Sequence, residues 1–173
     1  MFENPDHALR WAASVKYRTI IDGPSINRMC GKHTRSSSQE LTMGLTPQEA
    51  QLQSELIFKH AYAIQDKVYH QYISAKYLFK DEIDTLIQRV LSGLLYPSGG
   101  LHRRDITKII MLYCGHKISK RELREALHCE SNKVSQLEKQ VYDVLDVVHY
   151  RVMSELETSM IEAGLVKGTP RCA

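Results

Sequence analysis

Apolar residues recur every three to four positions through most of this chain and nowhere alternate one by one, so the pattern predicts helices and no strands. Pro5 to Ile21 reads as the first helix. Pro5 suits its opening turn, Leu9, Ala12, Ala13, Val15 and Ile20 supply the apolar positions, and Asp22, Gly23 and Pro24 end it. Thr46 to Glu49 is a capping box with proline at the first helical position, and the helix it starts carries Leu52, Leu56, Ile57, Ala61 and Ile64. Val68, Tyr69, Tyr72, Ile73 and Leu78 continue the spacing beyond a break or bend near Gln65. Asp81 and Glu82 favour a new start, followed by Ile83, Leu86, Ile87, Val90, Leu91 and Leu94. Tyr96 to Gly100 interrupts the pattern. Leu101 to Cys114 then buries Ile106, Ile109, Ile110 and Tyr113, and Gly115 suits the left-handed position that closes a helix.

The next stretch is the most specific. Ser119 and Glu122 stand in capping-box register, and a short helix with Leu123, Ala126 and Leu127 on one side runs out near His128. Ser131 can cap the following helix, where Val134, Leu137 and Val141 resume the stripe. Two helices joined by a short corner, with Leu123, Leu127, Cys129, Val134 and Leu137 at the buried positions, describe a helix-turn-helix. Two residues depart from its common pattern. Arg124 stands where a small residue lets the helices approach, and His128 stands where glycine usually takes the left-handed turn. The plainer alternative is an αα-hairpin in a helical domain. The second helix does not stop after three turns: Val144, Leu145, Val148, Val152, Leu156 and Met160 carry it towards Gly164, a length of roughly 50 Å. Such a helix can cover the Leu52 to Leu94 region or pair with a second protomer. The expected class is all-α, with an N-terminal helix and basic loop over 1–46, a helical core or partner-binding region over 47–97, and a helix-turn-helix with its long helix over 101–164.

Composition adds limits. At 173 residues the chain has enough length for one full core or two small ones, and 43% hydrophobic with 25% charged residues is ordinary for a globular protein. No apolar run approaches the ~18 residues of a membrane span, and the N-terminus carries no signal-peptide pattern. Cys30, Cys114, Cys129 and Cys172 form no CxxC pair, which suits a reduced, cytoplasmic protein. Phosphate-binding, nucleotide-binding, hydrolase and zinc-protease signatures are missing, so no enzymatic activity and no cofactor are expected. Cys114, His116, His128 and Cys129 flank the short helix, but their spacing fits no zinc finger, and no metal site is assigned.

The net charge is only +3, and its distribution carries more than its size. Between His102 and Arg124 lie Arg103, Arg104, Lys108, Lys117, Lys120, Arg121 and Arg124 against Asp105 and Glu122; from Gln140 to Ala163 the balance reverses, with Arg151 the one basic residue. A polyanion would be drawn to the helix-turn-helix and its preceding helix. Ser131, Asn132, Ser135, Gln136 and Lys139 are the candidate base readers, since the first turns of a recognition helix face the major groove. Arg103, Arg104, Lys120, Arg121 and Lys133 are the candidate phosphate contacts. Ser25 to Glu40 reads as a solvated loop; its alternative is a basic segment in which Arg28, Lys32, His33 and Arg35 order on nucleic acid or protein. Trp11 and the tyrosines from Tyr62 to Tyr96 read as packing residues rather than base-stacking platforms.

The block LHRRDITKIIMLYCGHKISKRELREALHCESNKVSQLEKQVYDVL resembles the region-4-type helix-turn-helix of sigma factors. The chain as a whole is similar to Q-type phage and prophage antitermination factors, the AlpA-like group among them. The specific part covers roughly the last two-fifths of the chain, and the cysteine-rich zinc insert of some Q proteins is missing. This resemblance implies a factor that loads on double-stranded DNA near a promoter and engages RNA polymerase through core and sigma. It would then narrow the RNA exit channel so that terminators are read through. The Arg28 to Arg35 loop would face polymerase or nascent RNA. Two other classes stay open: a dimeric helix-turn-helix repressor or activator seamed by the long helix, and a helical adaptor that binds no nucleic acid.

Overall fold

The computed structural model describes residues 1–21, 44–94, 103–128 and 131–167; for 18–21, 104–105 and 131 it describes the backbone course alone. Among these residues the chain is all-helical, as the spacing predicts. Its helices are α1 (Pro5–Ile21), α2 (Pro47–Ala63), α3 (Lys67–Leu78), α4 (Asp84–Gly93), α5 (Arg103–Tyr113), α6 (Lys120–Leu127) and α7 (Ser131–Glu162). The expected ends at Asp22 to Pro24 and Tyr96 to Gly100, the Arg28, Lys32, His33 and Arg35 loop, and Cys129 lie outside the described residues. Two compact units divide the chain, Met1–Ala63 with Glu155–Ala173 and Ile64–Ser154.

In the first unit α1 packs on α2. Ala8, Leu9, Ala12 and Val15 of α1 and Ala50, Ile57, Phe58 and Ala61 of α2 are buried. Ser54, buried with them, donates its hydroxyl to the Ala12 carbonyl at 2.9 Å, so the polar group is not left unpaired. Trp11 lies 5.2 Å from the Phe2 ring and is the packing residue its sequence position suggests. Past Gly164, at φ 69°, the chain returns to Phe2, whose N–H donates to Leu165 O and whose carbonyl accepts from Lys167 N, each at 2.8 Å. One isolated bridge, Phe2 to Val166, results, and no strand. Leu52 and Leu56 depart from their expected buried role. They are 66% and 42% exposed, because the buried face of α2 runs through Ala50, Ser54, Ile57 and Ala61 instead.

In the second unit α3, α4, α5 and α6 follow one another, each in contact with the next except at the α3 start, which follows a break. That break falls at 64–66, where Asp66 caps α3 by accepting from Val68 N at 2.7 Å. The helix after it starts later than Asp81 and Glu82 suggest. Its N-cap is Ile83, without a side-chain cap, and the Ile83, Leu86, Ile87 and Val90 face fixes its place instead. The first part of α7 buries Val134, Val141, Leu145 and Val148. It meets α5 where the Tyr142 and Tyr113 rings stand edge to face at 5.0 Å, and α4 where a Cβ on Gly93 would come within 3.0 Å of the Val144 side chain.

A polar cluster lies inside this unit, and the apolar spacing gave no sign of it. Tyr72, fully buried, accepts from Lys76 Nζ and shares a hydrogen bond with His149 Nδ1, both at 2.8 Å; Tyr113 donates to Asp146 at 2.6 Å. The Lys76 ammonium also sits 4.7 Å from the Tyr113 ring centre. Burial, with Tyr113 and Tyr77 nearby, pushes the Tyr72 phenol far above its usual range, so its hydrogen stays available to bridge to His149. Burial likewise pushes the Cys114 thiol up to about 11, against the lowering pull of Lys76. A thiol held this way is a core group, not a nucleophile.

Candidate nucleic-acid interface

The corner begins with a helix that is capped by its own sequence. Glu122 N donates to Ser119 Oγ at 3.1 Å, and Ser119 N donates to Glu122 Oε2 at 2.8 Å. The Ser119 N–H, and after it the Ser119 hydroxyl beside the carboxylate, hold the Glu122 carboxyl below its ordinary value of 4.5. A carboxylate with a lowered folded-state pKa supports the fold above its unfolded value and withdraws that support as pH falls through the lowered one. Acidification below the ordinary carboxylate range is therefore expected to fray the first turn of α6. The protection of the Ser119 amide, its exchange rate relative to the intrinsic rate at the same pH, should fall in acid in the parent chain, and Glu122→Gln should flatten that response. A Ser119 protection factor that acid leaves unchanged in the parent would deny the box its role.

At its other end α6 stops at His128, which takes the left-handed conformation at φ 47° where glycine is usual. Histidine adopts it at a cost of about 1–2 kcal/mol, so something on both sides must hold the corner. Leu123, Leu127 and Val134 do so: they are 0%, 6% and 4% exposed. Leu137 is half-buried rather than fully buried, and Arg124, at the position that a small residue usually fills, points outward and is exposed. The close-approach problem that Arg124 raises is thus solved by orientation.

On the outer side of the same corner, Asn132, Lys133, Ser135, Gln136 and Lys139 are exposed on the first turns of α7. Asn132 and Gln136 lie one helical turn apart on a common face, at the spacing that lets both reach one groove. Ser131 opens the helix, and only its backbone is described.

The phosphate candidates divide by what surrounds them. Arg103 is half-exposed and donates to Asp84 at 2.6 Å, and Arg121 pairs with Glu125 at 2.8 Å one turn along α6. Lys120 and Lys133 are exposed and take part in no ion pair among the described residues. Arg104 belongs to α5, and nothing is described of its side chain. The cationic surface is thus narrower than the count of basic residues implies, because two of its arginines must leave a carboxylate before they can serve a phosphate.

No protein-family model, curated protein or solved structure matches the chain. No helix among the described residues is long and apolar enough to cross a membrane.

Proposed function

We propose that this chain binds double-stranded DNA through the start of α7 and acts in transcription. One observation carries the reading: a capped short helix and a left-handed corner, locked by Leu123, Leu127 and Val134, leave Asn132 and Gln136 together on an exposed helical face. Amide side chains of this kind bond adenine bidentately through N6 and N7 in the major groove, and the neighbouring lysines supply the phosphate contacts that set register. The finer reading is antitermination, with RNA polymerase as the protein partner. Its support is the likeness of the 101–145 block to sigma region 4. A second reading, a dimeric regulator, is favoured by an exposed stripe further along α7.

Retention on DNA at rising salt tests the first part, and terminator readthrough by purified polymerase, with and without the protein, tests the second. Lys133→Ala is expected to reduce the slope of log affinity against log salt by about 0.9, one phosphate contact. Arg121→Ala should reduce it by less, because the arginine gives up Glu125 to make the contact. Equal slopes for both variants and the parent would remove these residues from the interface. Absence of any DNA retention at low salt would leave the adaptor reading.

A further inference from the structure

We propose that the middle of α7 is the seam of an antiparallel homodimer centred on Val147. Asp143, Val147 and Arg151 follow one another at four-residue steps on an exposed ridge of the helix, and Val147 is 50% exposed. Neither Asp143 nor Arg151 takes part in an ion pair among the described residues. The ridge borders an open groove of about 500 Å³, and the approach of α4 at Gly93 shapes it beside Val144. Tyr150, 74% exposed, extends the apolar area along the same helix.

The occupant follows from the order of charges. Around a twofold axis through Val147, two antiparallel copies of α7 bring residues equidistant from that centre to the same level. Asp143 and Arg151 are each four residues away, about 6 Å along the axis, so each Asp143 meets the partner's Arg151 and the reverse. A parallel pairing would instead place Asp143 against the partner's Asp143 and Arg151 against the partner's Arg151. The ridge is therefore complementary to itself in one direction and repulsive in the other. The long guanidinium side chain spans the lateral offset between facing helices, and the two valines supply the dry centre. This inference stands without DNA binding. An antiparallel partner helix centred on Val147 also runs past the start of α7, where Gln136 lies 11 residues before the centre and within about 20° of the same face, so the seam and a DNA duplex compete for this stretch.

Sedimentation equilibrium of the full chain without DNA tests it. The parent should be a dimer in the micromolar range. Asp143→Arg and Arg151→Asp should each weaken dimerisation about tenfold or more, since each sets like charges against each other twice. The double variant D143R/R151D restores opposite pairing and should recover most of the loss. All these residues are exposed, so unchanged helical circular dichroism is expected and separates loss of the seam from loss of fold. A parent that stays monomeric to about 100 µM overturns the proposal, as does a double variant no better than the singles. A dimer that forms while DNA retention fails in the parent and in the monomeric D143R variant alike supports the seam and leaves only the DNA reading to fall.

Discussion

Leu123→Ala is expected to cost the chain about 2–5 kcal/mol in urea unfolding and to abolish sequence-selective DNA retention, the normal range for emptying a fully buried leucine site. The reason is the economy of α6. It has eight residues, too few for a helix to persist alone, and only Leu123 and Leu127 are buried on it. Its capping box fixes where it starts but is fully exposed and cannot hold it against the core. Losing Leu123 therefore loosens both the helix and the corner that presents Asn132 and Gln136, so stability and retention should fall together. Glu125→Ala is the contrasting change. It removes a solvent-exposed ion pair with Arg121, for which about 0–1 kcal/mol is usual, and it frees that arginine for phosphate. A loss below about 1 kcal/mol for Leu123→Ala would mean that α6 is held by something other than its buried face.

These two outcomes differ in how readily the sequence foretells them. Where local chemistry decides an element, the sequence reads directly: Ser119 with Glu122 and Thr46 with Glu49 make the reciprocal bonds their spacing predicts, and His128 takes the left-handed turn. The long helix running to Glu162 is equally plain, because its apolar spacing never breaks. Where packing decides, periodicity misleads. Leu52 and Leu56 fit a helical stripe, yet Ala50 and Ser54 lie on the buried side, and small residues are what close approach to α1 demands. Asp81 and Glu82 look like a helix start, but the buried Ile83 face places α4 two residues later. The Tyr72, Lys76 and His149 cluster joins residues 77 positions apart and could not be read from any local pattern. At the candidate interface Asn132, Ser135, Gln136 and Lys139 are exposed on the first turns of α7, where the helical spacing puts them. The pairing of Arg103 with Asp84 is made between helices and is invisible in one dimension.

Replacing both Asn132 and Gln136 by alanine should leave stability within about 0.5 kcal/mol of the parent, since both side chains are exposed. Affinity for the preferred DNA site should nevertheless fall by about 1–3 kcal/mol for each side chain that pairs with a base, a tenfold to hundredfold loss apiece. Binding to unrelated duplexes should barely change, because the lysines proposed to hold phosphate remain. Gln136→Ala alone should relax preference at one base position, which site selection from a randomised duplex pool would register. The separation of the two effects is what makes the experiment decisive. A variant that loses affinity equally for every duplex would show these amides acting as backbone contacts. A variant that keeps both affinity and preference would move recognition away from the first turns of α7. A structural role is already disfavoured by their exposure, so a selective loss can be assigned to the groove itself.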